Sequence, residues 1–296
     1  MVIRAAEVTD AEALSQVRRD TFSYSVVSPA AMRHAITMHT PAEQQLALVA
    51  EVDGVVVASG SCGRNTWTSE PGQAQLSLYV HPRYRRQGIA TALHEQLDNH
   101  LADIGVARVR AFATPDGQAF AERLGYERSR ELHYSGVDLQ VLPDQPPTPE
   151  GIVLETMDKL DPKPIYTADM IASLDEPGDS PLDSIEYDEW FEEVWKSPAL
   201  DKSLSVAALA GDEVVCFTAM EIDGDRAWSG MTGTIPQYRG RGLAKLVKSV
   251  ALRRCAQAGI VSVFTSNDDA NGPMLAINNW LGYQRIETQT SMLRVL

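Results

Sequence analysis

The residues best equipped for chemistry in this chain are two short clusters of arginine and glycine. Arg239-Gly240-Arg241-Gly242 sits in the stretch YRGRGLAKL, and Arg85-Arg86-Gln87-Gly88 in YRRQGIATAL. Glycine in the first turn of a helix costs about 1 kcal/mol relative to alanine, and arginine there opposes the positive end of the helix dipole. A negative ligand reconciles both choices. Backbone N–H groups at a helix N-terminus point outward toward an anion, glycine lets that backbone come close, and arginine adds bidentate, charge-assisted bonds to phosphate oxygens. The spacing matches neither GxxxxGK followed by Ser or Thr nor GxGxxG, so ATP and dinucleotides are poor candidates. The six histidines and three cysteines show no metal-ligand spacing together, and no metal is expected.

The two clusters are copies. PRYRRQGIA at 82–90 returns as PQYRGRGLA at 236–244, an offset of 154 residues, and Leu124-Gly125-Tyr126 returns as Leu281-Gly282-Tyr283 at an offset of 157. Self-similarity at long period marks a duplicated unit. Between the copies, VLPDQPPTPEG carries four prolines in the seven positions from Pro143 to Pro149, which reads as a semi-rigid extended linker. The expected organisation is a first domain at 1–142, a linker at 143–150 and a second domain at 151–296.

Each copy is positioned by the same predicted elements. In the first half, Thr9-Asp10-Ala11-Glu12 is a capping-box pattern opening a helix that carries Leu14 and Val17. LALVAEV, Asp53-Gly54 and VVVASGSCG read as a hairpin, and AQLSLYV as the strand entering the first cluster. A helix with Ile89, Leu93, Leu97 and Leu101 on one stripe follows, then the strand VARVRAFA and a short helix. In the second half, VAALA and VVCFTAMEI form the hairpin and RAWSGMTGTI enters the second cluster. A helix with Leu243, Leu246, Val247 and Val250 on one side, the strand VSVFTSN, a helix to Leu281 and a final strand near IETQTSMLRVL complete it. Both halves are therefore α/β with a mixed, mainly antiparallel sheet flanked by helices.

Composition excludes several functions. The 296 residues include 44% hydrophobic types, enough for two cores, and the formal charge of −14 lacks the basic surface that holds nucleic acid. The sequence has no apolar run of signal-peptide or membrane-spanning length, and its isolated cysteines suit a reducing compartment, so a cytoplasmic protein without membrane attachment is expected.

The six-residue patterns Arg85-Arg86-Gln87-Gly88-Ile89-Ala90 and Arg239-Gly240-Arg241-Gly242-Leu243-Ala244 resemble the acyl-CoA pyrophosphate loop of the GNAT acetyltransferase superfamily. The later LGY in each half is similar to the family's LGF-type motif, so the resemblance spans nearly the whole chain, twice, in a tandem two-domain arrangement like that of mycothiol synthase-type proteins. It implies two tandem GNAT-like domains and acetyl-CoA as co-substrate. It also implies that the pantetheine arm hydrogen-bonds the strand ends Leu78-Tyr79-Val80 and Gly233-Thr234-Ile235, with the N–H of Val80 or Ile235 as oxyanion donor.

The family commonly places an Asn eleven residues, and an acidic Tyr four residues, before the glycine of the LGF motif. The second half has Asn271 and Asn278 at these positions, and the first has Thr114 and Ala121. The Tyr is thus missing from both halves, and the second half is expected to catalyse while the first is degenerate. A CoA thiolate is a tolerable leaving group near neutral pH, because the reference thiol pKa is about 8.5. The implied reaction is direct attack of a small-molecule primary amine on the acetyl thioester, with Glu221, Asp268 or Asp269 as candidate base. His81 reads as structural. The segment from Asp169 to Glu193 holds ten carboxylates and no Lys or Arg, and Tyr187, Phe191, Val194 and Trp195 make an apolar stripe within it. It reads as a solvated helix face or as an acidic rim that concentrates a cationic acceptor. Protein or peptide acetylation and a non-catalytic acyl-CoA sensor are the alternatives, and either a monomer or a homodimer is compatible with the sequence.

Overall fold

The computed structural model describes residues 1–296. Its elements run in chain order β1 (Val2–Ala5), α1 (Ala11–Thr21), α2 (Pro29–Thr37), β2 (Leu46–Val52), β3 (Val55–Arg64), β4 (Gln73–Val80), α3 (Ile89–Asp103), β5 (Arg108–Ala113), α4 (Pro115–Arg123) and β6 (Glu127–Val137). The second half adds β7 (Val153–Thr156), α5 (Pro162–Ser173), α6 (Tyr187–Trp190), β8 (Val206–Ala210), β9 (Glu213–Asp223), β10 (Arg226–Thr234), α7 (Leu243–Gln257), β11 (Ser262–Asp268), α8 (Gly272–Leu281) and β12 (Gln284–Val295). The chain condenses into two units, Met1–Glu131 with Gln289–Leu296, and Leu132–Thr288.

The first unit is a sheet in the order β1-β2-β3-β4-β5 closed by the end of β12. Asp53 and Gly54 adopt φ of 53° and 79°, the left-handed pair that a two-residue hairpin turn requires. The pairs are antiparallel except β4–β5, which is parallel only over Gln73–Gln75 with Arg108–Arg110. The predicted stripe of α3 is the core: Ile89, Leu93, Leu97 and Leu101 are all buried, against Val57, Leu76 and Val109. Burial of each such side chain contributes roughly 1.5–3 kcal/mol. The first helix starts at Ala11 behind a 3-10 turn at Val8–Asp10, and the capping contact lies earlier than the predicted box, with the Glu7 N–H donating to Asp10 Oδ2 at 2.8 Å.

The second unit repeats the plan in the order β7-β8-β9-β10-β11, closed by residues 132–137 of β6. The closing strands are therefore exchanged relative to sequence order: β12, assigned to the second half, pairs through Thr290–Val295 with β5 of the first unit. The compact units accordingly divide at 131/132 and 288/289 rather than at the proline-rich 143–150, which has neither helix nor strand. On α7, Leu243, Leu246 and Val247 are buried as expected, but the stripe differs from prediction in that Val250 is partly exposed while Lys248 is 2% exposed. The acidic segment forms only the short α6 and a π-helical turn at Phe191–Trp195, with Trp190 and Trp195 as its buried anchors. Trp190 Nε1 donates to Asp169 Oδ2 at 2.8 Å, and burial raises that carboxyl to about 6.

Candidate active site

Both arginine-glycine clusters fold into the same cradle. A 3-10 turn, Pro82–Tyr84 or Pro236–Tyr238, leaves the strand, and the helix then starts after a left-handed glycine, Gly88 at φ 81° or Gly242 at φ 77°. Two residues earlier the backbone is left-handed again, at Arg86 (φ 63°) in the first unit and Gly240 (φ 75°) in the second. An arginine held there costs of order 1 kcal/mol, which glycine avoids. A Cβ built on Gly88, Gly240 or Gly242 would meet nothing within 4 Å. The glycines are needed for conformation and leave open space at the N-terminus of each long helix. The leading arginine of each cradle is fastened identically, with Arg85 Nε donating to the Val80 carbonyl at 3.3 Å and Arg239 Nε to the Thr234 carbonyl at 3.0 Å. That holds each guanidinium against the end of the strand that enters its loop. In the second unit Arg239 Nη1 also contacts Asp175 Oδ2 at 2.6 Å, an exposed pair worth little in itself.

These contacts correct the oxyanion assignment in the second unit. The Ile235 N–H donates to the Val215 carbonyl at 3.1 Å and is committed to the sheet, as the His81 N–H is to Val57 at 2.9 Å. Alternation along an antiparallel ladder then directs the amides of Val80 and Thr234 to the opposite edge. Thr234, one residue before Ile235, is therefore the counterpart of Val80. Its edge is open because β10 pairs with β11 only over Arg226–Trp228, after which the strands part.

The parting strands line a cleft of about 900 Å³ within the second unit. It gathers the cradle (Arg239, Gly240, Gly242, Leu243, Ala244), Gly233 and Thr234 from the strand edge, Glu221 from β9, Lys248 from α7 and Asn271 from the start of α8. Asn271 caps α8, its side chain accepting from the Met274 N–H at 3.3 Å. Asn278 is 4% exposed, does not line the cleft, and donates its Nδ2 to Asn267 Oδ1. Arg241 lies over the Tyr238 ring, 4.8 Å from its centroid, outside the lining, and Ile235 is buried at 4% exposure. Asp268 and Asp269 also lie outside the lining: Asp268 Oδ1 accepts from the Ala270 N–H at 2.8 Å, and Asp269 Oδ1 pairs with His133 Nε2 at 2.9 Å. His81 is structural, its Nδ1 accepting from the Arg83 N–H at 3.1 Å and its Nε2 lying 3.3 Å from Asp20.

Of the candidate bases Glu221, Asp268 and Asp269, the fold brings Glu221 to the cleft. It stands opposite Trp228 across the β9–β10 ladder, and its Oε1 would lie 3.6 Å from a Cβ on Gly230. Between Ser229 and Thr232 the register shifts, a β-bulge that turns the edge of β10 beside the glutamate. Burial is the sole cause that raises the Glu221 carboxyl above the usual range, making it a stronger base when ionised. The first unit has none of this. Its β3–β4 ladder runs without interruption from Ala58–Val80 to Arg64–Ala74, and Gly63 occupies the position that aligning the two ladders gives to Glu221. Sequence reasoning missed Lys248 because a lysine inside KLVKSVAL reads as solvent-facing. The available signal was its twin at an offset of 154, His94, which is likewise buried.

Residues 11–126 match a family model described as the acetyltransferase (GNAT) family. A mycothiol acetyltransferase from Nocardioides sp. is 26% identical over 235 residues, covering 73% of this chain and 79% of the relative. One from Actinosynnema mirum is 25% identical over 296 residues, covering 95% of this chain and 94% of its own. Among solved structures, a tandem GNAT protein from the clavulanic acid biosynthesis pathway superposes with a TM-score of 0.73 at 18% identity, covering 99% and 98% of the two chains. A GCN5-related N-acetyltransferase from Sphaerobacter thermophilus gives 0.72 at 20% identity, covering 99% and 95%. No helix is long and apolar enough to cross a membrane.

Proposed function

We propose that the chain is a tandem GNAT-type acetyltransferase whose second unit transfers the acetyl group of acetyl-CoA to a primary amine of a small molecule, while the first unit, which the family model matches, is mainly a scaffold. One observation carries the assignment: the bulge, Glu221, the cradle and a cleft of about 900 Å³ occur together in the second unit, whereas the first keeps the cradle but has neither the bulge nor the glutamate. The cradle suits a pyrophosphate, since Gly240 and Gly242 leave open space in front of helix α7 and Arg239 lines the same cleft. Lys245, in the first turn of α7, adds a further cation to the lining.

In this reading the substrate arm runs from the cradle along the open edge of β10, where the Thr234 amide is the donor on offer. Glu221 takes the proton from the attacking amine. Half-buried in the cleft, it is a carboxylate whose pKa desolvation raises, which strengthens it as a base when ionised. The names of the relatives favour a small-molecule acceptor over a protein.

The test is thioester consumption on a panel of amines with matched variants of the two cradles. Arg239→Ala and Gly242→Asp are expected to abolish turnover, and Arg85→Ala and Gly88→Asp to leave it near wild type. The reverse pattern would move catalysis to the first unit. Tight CoA binding with no turnover on any amine would make the protein a sensor.

A further inference from the structure

Breaking the thioester leaves a thiolate that needs a proton, and at the position where the resemblance expects a tyrosine there is Asn278, buried and bonded to Asn267. The cleft holds another source. Lys248 Nζ lies 2.7 Å from Ser229 Oγ, and both residues are 2% exposed and line the cleft. The ammonium sits 5.6 Å from the centroid of the Tyr283 ring, makes no ion pair, and uses one of its three donors on Ser229. A lysine is rarely buried this deeply without a carboxylate.

The strand places it well. Side chains alternate across a sheet, so Glu221, opposite Trp228, and Ser229, the next residue along β10, emerge on opposite faces. Helix α5 packs on the glutamate side, where a Cβ on Gly233 would meet Ala172, and α7 brings Lys248 to the serine side. Both side chains nevertheless line the same cleft, Glu221 from the α5 side and Ser229 with Lys248 from the α7 side.

We propose that Ser229 and Lys248 form the proton relay that neutralises the departing thiolate, an inference that rests on acetyl transfer in the second unit. As the amine nitrogen bonds to the carbonyl carbon, the C–S bond breaks and its electron pair stays on sulfur. Glu221 receives the proton of the amine. Ser229 gives its hydroxyl proton to sulfur and takes one from the Lys248 ammonium, leaving CoA as the free thiol, an amide and a neutral lysine. Exchange with water then removes the proton from Glu221 and returns one to Lys248. Burial lowers the Lys248 ammonium to about 7, close to the optimum for a donor at neutral pH. The titratable groups near it stay neutral there: burial raises the Tyr283 phenol, and pushes the Cys255 thiol on α7 up to about 12. The first unit holds a titratable pair at the same place, with the Tyr126 hydroxyl 3.4 Å from His94 Nε2.

The experiment compares Ser229→Ala, Lys248→Met and Lys248→His with wild type, using acetyl-CoA and an acetyl thioester of an acidic aromatic thiol. Loss of a general acid costs on the order of 10²-fold in kcat, so Lys248→Met and Ser229→Ala are expected to lose about that much with acetyl-CoA, at unchanged CoA affinity. Both should recover most of it with the acidic leaving thiol, which needs no proton. Lys248→His should retain turnover, with the alkaline limb of the kcat profile displaced. If Lys248→Met fails to fold, Ser229→Ala and the histidine variant decide the matter alone. Equal losses on both thioesters, or wild-type rates in Ser229→Ala, overturn the relay. Absence of turnover in the wild type would instead refute the acetyltransferase reading of this unit.

Discussion

Lys248 also predicts how stability depends on pH. Its ammonium falls from 10.5 to about 7 on folding because burial strips its hydration. At 1.36 kcal/mol per pKa unit, that shift is a penalty of roughly 5 kcal/mol wherever the amine is protonated in both states. Below about pH 7 the penalty is complete, since folded and unfolded chains both carry the proton. Between about 7 and 10.5 the unfolded state binds the proton and the folded state does not, so stability rises with pH. Over the convenient interval from pH 7 to 9 the gain is about 2 kcal/mol, because the folded ammonium is already half titrated at pH 7. Urea denaturation of wild type and Lys248→Met at several pH values isolates it, because methionine fills similar space and carries no charge. The variant is expected to be the more stable protein at pH 6.5, with the difference shrinking toward pH 9. Parallel stability curves for the two proteins would refute the buried-ammonium argument.

Glu221→Gln should lower kcat by 10²-fold or more with little change in KM, and should abolish the loss of activity that wild type shows as falling pH protonates the raised carboxyl; pH–rate profiles read both. Gly242→Ala is expected to cost about 1–2 kcal/mol in thermal stability and to weaken CoA binding by calorimetry. The penalty is conformational, because φ is 77° and the added methyl meets nothing within 4 Å. Truncation after residue 288 should expose amides of β5 to hydrogen exchange while those of β10 stay protected, since Met292, 0% exposed, and Arg294, bonded to Asp98 at 2.8 Å, are lost from the first unit.

The local signals of this chain were strong and the sequence carried them well. Apolar stripes and turn pairs placed α3 and the hairpins. The recurrence of Arg and Gly at one offset exposed two equivalent loops, and the left-handed φ values of Gly88 and Gly242 explain the glycine kept in both. Glu221 was nameable from its place at the end of a hairpin strand. Three features were not legible, each for a physical reason. A closing strand looks alike whichever sheet it joins, so the exchange of β6 and β12 is fixed by pairing between residues far apart in sequence. The difference between Thr234 and Ile235 as donor is one step of ladder register, set by the bond from Ile235 to Val215. Lys248 lies at a helical position whose burial depends on what packs over it. Composition and spacing determined that two glycine-arginine loops precede equivalent helices; only the tertiary structure decided that Glu221, Ser229 and Lys248 line one cleft beside the second of them, because their meeting depends on a bulge, a splayed strand pair and a buried helix face.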